Sequence, residues 1–284
     1  MKKLIALILS LILALSCFAA CAPSASTPDT TAAAADETTA AAADETTAAA
    51  ASDLTFVQDN GKLIVGITDY APMDYKDDNG EWTGFDAEFA RLFAEELGVE
   101  CEFFVIGDWG KKFVELETKN IDCVWNGMTI TEEATLNASV SNPYVVNAQV
   151  LVMKADKVAD YQDAASIVDL AVAVENGSAG QTAAEDAGVK NIIAVQDQAA
   201  ALLEVKAGTS DACVIDITMA NAMTGEGTDY AELAAGISLT SEEYGVAFRK
   251  DSDITAKFND FMAKLIEDGT LQALADKYEL TLAK

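Results

Sequence analysis

Histidine is missing from this chain of 284 residues, and arginine occurs only as Arg91 and Arg249. The first absence excludes triads that use an imidazole base, and the histidine-rich zinc sites. The scarcity of cations reaches further: 18 Lys and Arg stand against 47 Asp and Glu, a formal charge of −29. Such a chain is a poor partner for nucleic acid or an anionic membrane surface. Cysteine is sparse as well, five in all, and Cys101, Cys123 and Cys213 sit in apolar, strand-like runs. An odd set placed in this way reads as buried free thiols rather than a disulfide framework. The apolar run at residues 4–15 is shorter than the ~20 residues a membrane-spanning helix needs.

That run does have a reading. Met1-Lys2-Lys3 followed by LIALILSLILAL is a charged segment and an apolar one, the pattern of a secretory signal. It ends in Phe18-Ala19-Ala20-Cys21, small residues before a cysteine, which resembles a lipoprotein signal-peptidase site. Cys17, preceded by Ala14-Leu15-Ser16, fits less well, and plain secretion with an incidental cysteine is the bland alternative. Cleavage before Cys21 removes Lys2 and Lys3 and no acid, moving the charge from −29 to −31. Residues 22–52 are low in complexity, with the unit ADETTAAA twice in tandem. They hold no aromatic or branched apolar side chain with which to offset their ordering entropy. As a coil, thirty-odd such residues span about 30 Å, the dimension of a tether.

From Leu54 the composition turns globular, with length enough for two lobes. Residues 62–68 read as a strand ending in the polar and aromatic loop 69–73. Asp77-Asp78-Asn79-Gly80 reads as a hairpin turn. Phe85, Phe89, Leu92, Phe93 and Leu97 have helical spacing, and Gly98 ends that helix. A strand at 100–106 and a helix opened by Trp109 follow, then a short strand at 121–125. A second α/β series begins after residue 153: strands at 170–174, 191–195 and 211–216, with helices between them and two closing helices at 253–268 and 270–278. This alternation predicts two parallel sheets with covering helices. Two extended runs, 144–150 and 243–248, would cross between the halves. Ligands of open α/β sheets bind beyond the carboxyl ends of the strands, so the loops at 69–73, 107–110, 126–131, 175–180, 196–198 and 216–218 face a cleft closed by a hinge.

Residues 121–144 are the centre of the site prediction. A strand passes through Asn126-Gly127 into a helix opened by Thr131, Glu132 and Glu133. Such a junction directs backbone N–H groups toward one point, with Thr129 and Thr131 adding hydroxyls. An ordinary capped helix is the plain alternative. Asp216 ends an apolar strand on a carboxylate, which would either meet a ligand cation or cap the next helix. Lys112 lies one helical turn from Trp109, where an apolar residue would be expected of a lobe core. It either snorkels to solvent or points at a ligand. Asp69 would contact a ligand side chain or solvent, and Glu175 belongs to the rim.

In order along the chain, KLIVGITDYAPMDY, NGEWTGFDAEFARLFAEELGV, IDCVWNGMTITEE, SNPY, QVLVMKAD, VAVENGSAG, SDACVIDITMA, SEEYGVAFRKDSD and EDGTLQALADKY resemble a bacterial extracellular solute-binding protein of the polar amino-acid family. The resemblance covers residues 54–280. It implies the type II periplasmic-binding-protein fold, an α/β arrangement of two Rossmann-like lobes joined by two extended hinge crossings. Residues 1–20 would be the signal, 21–53 the lipid-anchored tether, 54–145 with 244–284 one lobe, and 146–243 the other. It further implies a hinged receptor, monomeric and without cofactor or metal, that presents a small solute to an ABC permease and ATPase. The receptor would lie outside the cytoplasm, anchored to the cell membrane through lipid on Cys21. The family's ligand contacts match Tyr70, Trp109, Asn126, Gly127, Thr129, Ser178, Ala179 and Asp216. Of these, Tyr70 and Trp109 would cover the ligand, Ser178 and Ala179 would meet a carboxylate, and Asp216 an α-ammonium. Trp109 as lobe core and Asn126 as a mere shaper of its turn are the structural alternatives.

One departure stands out. The family's arginine, which clamps an α-carboxylate in a bidentate pair, is replaced by Ala134. An ordinary α-amino acid is thereby placed in doubt, and an amine or amide is the other ligand class. A sensor that reports ligand without transport, and a periplasmic dehydratase using Glu175 and Asp216, are competing functions. The second lacks the cations that its acidic substrates would require.

Overall fold

The computed structural model describes residues 52–284. The signal segment, Cys17, Cys21 and the tether up to residue 51 lie outside the described residues. The fold begins one step earlier than its composition suggests. Ser52 accepts a hydrogen bond from the Thr55 N–H and caps a helix, Asp53–Asn60, that ends on Gly61 at φ 70°. Asp53, assigned to the tether by composition, is its first residue. Its carboxylate accepts from Arg249 Nε at 2.7 Å and from Ser252 Oγ at 2.8 Å. Eight residues of weak periodicity gave no sign of a helix in the sequence; the ion pair supplies what propensity does not.

Two five-stranded sheets follow the same plan. In the first, Lys62–Ile67 lies between Glu100–Val105 and Cys123–Val124, all parallel. In the second, Ala171–Glu175 lies between Asn191–Val195 and Ala212–Asp216, also parallel. Each sheet gains its fourth, antiparallel strand from chain that has just crossed over. Ala247–Phe248 joins the first sheet beside Cys123–Val124, and Gln149–Lys154 joins the second beside Ala212–Asp216. The crossings themselves, Val145–Asn147 and Glu242–Tyr244, pair antiparallel, with Glu242 opposite Asn147. The outermost strands, Ser139–Val140 and Leu233–Ser238, were not evident in the sequence.

The first lobe is held by aromatic rings. Helical spacing puts Phe85, Phe89 and Phe93 on one face of the helix Phe85–Leu97, where all three are buried. Phe89 meets Trp125 edge-on at 4.9 Å, and Trp125 meets Phe258 of the helix Ile254–Glu267 at 4.9 Å. Each such pair contributes about 0.5–1.5 kcal/mol beyond the area it buries. The second lobe packs aliphatic side chains instead, among them Leu151, Ile167, Val172, Val174 and Val214. Gly98 and Gly208 end their helices in left-handed conformation, as their positions predict. Cys101, Cys123 and Cys213 are free, the last two buried.

The strand expected at 121–125 shortens to Cys123–Val124, because Asp122 turns its carboxylate to other tasks. One oxygen accepts from the Ile64 N–H at 2.9 Å and the other from Arg249 Nη2 at 2.9 Å. The helix expected from Trp109 starts as a tighter turn, Trp109–Lys111, capped by Asp108, before Lys112–Glu117.

Candidate functional site

A cavity of 450 Å³ opens where the strand-end loops of both sheets meet, and Tyr70, Trp109 and Asn126 bring all three loops of the first sheet to its wall. A larger one, 710 Å³, lies against the crossing strands and residues 277–281 and contains none of the predicted site residues. The smaller cavity is therefore the candidate site. Nine of the ten predicted ligand contacts line it: Tyr70, Trp109, Lys112, Asn126, Gly127, Thr129, Ser178, Ala179 and Asp216. Asp69 does not. It is exposed outside the lining, where partial burial and the charge of Asp197 push its carboxyl upward.

The wall from the first lobe is preoccupied with itself. Asn126 Oδ1 accepts from the Thr68 N–H at 2.8 Å and the Thr68 hydroxyl at 2.6 Å. Its Nδ2 donates to the Thr68 carbonyl at 3.2 Å and to Asp74 Oδ2 at 2.8 Å. The side chain thus shapes its loop, the structural alternative to ligand contact. Gly127, at φ 54°, donates its N–H to Asp86 Oδ2 at 2.6 Å. A Cβ there would stand 2.5 Å from Tyr70 Cε1, so the ring can approach only a glycine. The Ile130 N–H goes to the Glu243 carbonyl at 3.0 Å. Two of the N–H groups expected to converge on a ligand at this junction, those of Gly127 and Ile130, are instead engaged by the fold. Thr131 does cap its helix, accepting from the Ala134 N–H at 3.1 Å, but that helix is the short segment Glu132–Asn137.

Tyr70 is buried, and its hydroxyl lies 2.5 Å from both Thr218 Oγ1 and the Tyr244 hydroxyl. It links the first lobe to the second lobe and to a crossing, which leaves its ring for a ligand. Trp109 is buried at the cavity wall with Lys112 beneath it. The Lys112 ammonium does not snorkel: it is 5% exposed, lies 5.1 Å from the Trp109 ring centre, and donates to the Gly177 carbonyl at 3.1 Å. Burial pushes its pKa down, opposed by Glu133, Glu175 and Asp108. Ala134 is buried in an apolar cluster with Ile106, Trp109, Leu116 and Met128 and does not line the cavity. Both arginines serve the scaffold of the first lobe. Arg249 bridges Asp53 and Asp122, and Arg91 donates to the Trp82 carbonyl at 2.5 Å over the Phe103 ring.

The wall from the second lobe differs. Ser178 caps the helix Ala179–Asp186, its hydroxyl accepting from the Gln181 N–H at 3.1 Å. Ala179 is the first residue of that helix, where main-chain N–H groups lack an intrahelical partner. Asp216 makes no side-chain cap to the helix Ile217–Met223. Its Oδ1 accepts from Asn147 Nδ2 and from Gln149 Nε2, the latter at 2.8 Å, and its Oδ2 accepts from Gln198 Nε2. The amides of Asn147 and Gln149 also donate to Glu242 Oε1, each at 2.7 Å, and Thr129 Oγ1 donates to that oxygen at 2.8 Å. Buried, and facing the charge of Glu242, the Asp216 carboxyl is pushed up to about 7. Glu175, assigned to the rim by sequence, is buried at 3% exposure and lines the cavity. Burial drives its carboxyl well above the usual range, and Asp216 and Asp197 add to this.

Sequence reasoning missed Asn147, Gln149, Gln198 and Glu242. A signal for two of them existed. Asn147 and Gln149 are polar residues two apart in an otherwise apolar extended run, which places both on one face. Glu242, in a crossing, carried no local signal.

Comparison with known proteins agrees with the fold. The profile of the bacterial extracellular solute-binding proteins, family 3, matches residues 63–281. The L-cystine-binding protein TcyJ of Escherichia coli (strain K12) is 30% identical over 232 residues, covering 79% of this chain and 85% of that protein. The arginine-binding extracellular protein ArtP of Bacillus subtilis (strain 168) is 28% identical over 223 residues, 76% of this chain and 86% of its own. Among solved structures, a mutant of ArgBP from T. maritima superimposes with a TM-score of 0.74 at 30% identity, covering 80% of this chain and 98% of that one. The ancestral amino acid-binding protein AncCDT-1, a precursor of cyclohexadienyl dehydratase, gives 0.73 at 32% identity, covering 80% and 99%.

Proposed function

The chain belongs to the bacterial extracellular solute-binding proteins, family 3, and on that premise we propose that its cleft captures a small polar solute, an amino acid or close relative, for an ABC importer. The observation that carries this reading is the 450 Å³ cavity, into which strand ends of both sheets deliver polar side chains. Relatives named for cystine and arginine support a ligand of amino-acid size. The paired crossings, Val145–Asn147 with Glu242–Tyr244, are a two-stranded hinge about which the lobes close on that solute. Lipid on Cys21 tethers the receptor to the membrane that holds the permease and ATPase.

A thermal-shift panel of the common amino acids and their decarboxylated amines tests capture. A ligand at a hundred times its Kd adds about 2.7 kcal/mol of stability, and a panel in which nothing moves the transition overturns the reading. Small-angle scattering should show compaction at saturation with any compound that binds. The anchor is checked by mass spectrometry of the native N-terminal peptide; a mature start elsewhere, or an unmodified Cys21, removes it.

A further inference from the structure

The charged residues of the cavity lining are six acids and one base. Three carboxylates stand on its inner wall: Glu175 and Asp216 are buried, and Glu242 is half-buried. Glu132, Glu133 and Asp186 line the same cavity but are exposed, so a second acidic set sits toward its mouth. Lys112 is the single basic residue of the lining, and its ammonium is engaged by the carbonyls of Gly177 and Trp109.

The hydrogen-bonding groups left over point the same way. Gln149 and Glu175 are buried residues of the lining, and each keeps one oxygen, Oε1, without a partner. Both are acceptors, and a buried acceptor without a donor is unfavourable until something supplies one. Among the buried side-chain atoms of the lining, no donor is left in that condition. A ligand that offers N–H groups and positive charge satisfies this wall, whereas one that brings a carboxylate adds to its repulsion. Ala134, packed in the apolar cluster, leaves no guanidinium to offset that carboxylate, and Arg91 and Arg249 are committed elsewhere. Among the described residues no group of three Cys, Asp or Glu side chains is placed to hold a metal ion.

We propose that the ligand is a small linear dication without a carboxylate, an alkyl diamine or a guanidinoalkylamine. One cation sits against Glu175, Asp216 and Glu242, and the other is directed toward Glu132, Glu133 and Asp186. The Trp109 and Tyr70 rings border the methylene chain between them. This inference rests on the capture reading and narrows it to a ligand class.

Pairs of compounds that differ only by a carboxylate test it. Calorimetric titration of the full chain with putrescine, cadaverine and agmatine is set against titration with ornithine, lysine and arginine. Each amine is expected to bind at least ten-fold tighter than its amino acid. Glu175→Gln keeps the shape and removes the charge; it should weaken amine binding at least ten-fold while the chain unfolds at an equal or higher temperature. If an amino acid binds as tightly as its amine, the inference falls and capture stands. It falls in the same way if only neutral amino acids bind, or if Glu175→Gln leaves amine affinity unaltered. If no amino acid and no amine binds, both readings fall.

Discussion

Behind the first lobe's wall, Asn126 and Gly127 are tied to Thr68, Asp74 and Asp86, and the arginines neutralise or brace their own lobe. The second lobe's wall instead presents Asp216 and Glu175, with Glu242 beside them in the crossing, and meets Asp216 and Glu242 with amides and hydroxyls rather than cations. Both walls rest on the same strand order, so topology does not make the difference. Where the polar groups find their partners does. A wall satisfied internally is a rigid surface that shapes a ligand. A wall with surplus acceptors and charge supplies the energy that selects one. Retaining such a group opposes stability, because a buried carboxylate without a cation favours its neutral form.

Five measurements would break or sharpen that contrast. The largest effect is expected of Arg249→Met. It strands Asp53 and Asp122, and removing one member of a buried charge set costs about 3–5 kcal/mol; denaturant unfolding should show this loss while ligand affinity holds. An affinity that falls along with stability would place the arginine in ligand binding after all. Next comes Asp216→Ala, which should remove about 2–5 kcal/mol of binding free energy in calorimetry and leave the fold intact. An unaltered Kd would show that the second wall is only scaffold.

Asn126→Ala should act in the opposite sense, on the fold. It orphans Thr68 and Asp74 groups, each buried, at about 1–3 kcal/mol of stability, read by thermal unfolding. The smallest effect is in pH. A cation binds the ionised form of Asp216, whose pKa is pushed up to about 7 by burial and by the charge of Glu242. Affinity for an amine should therefore be full above pH 7 and decline as pH falls through it, by at most about ten-fold per unit for each proton. Without ligand the sign reverses. A carboxyl raised from 3.8 to about 7 by folding stabilises the protein when protonated, and that contribution is lost as pH rises through 7. Asp216→Asn should thus raise the unfolding temperature at pH 8 and lose that advantage near pH 4.

The α/β alternation of both halves, the stops at Gly98 and Gly208 and the extended crossings were legible because each depends on neighbours along the chain. The aromatic face of Phe85, Phe89 and Phe93 was legible for the same reason. Within the site, the strand-end loops held eight of the nine predicted residues that line the cavity, Lys112 was marked by its helical distance from Trp109, and Ala134 stood out as a departure from the family's pattern. The helix Asp53–Asn60 escaped because it is held by Arg249, 196 residues away from Asp53. Glu175 was misplaced at the rim because a carboxylate at a strand end gives no local sign of being buried.

What the sequence by itself determined, then, are the properties set by periodicity and local backbone preference: two α/β lobes, their order, and an excess of acid that excludes most anionic partners. Only the tertiary structure decided which acids meet in one cavity and which donors they find there. Asn147 and Glu242 are 95 residues apart in the chain, yet one amide spans Glu242 and Asp216. Asp69 lies one residue from Tyr70 and still falls outside the lining. Desolvation and hydrogen-bond partnership are properties of groups brought together in space, and no reading along the chain contains them until the chain has closed around them.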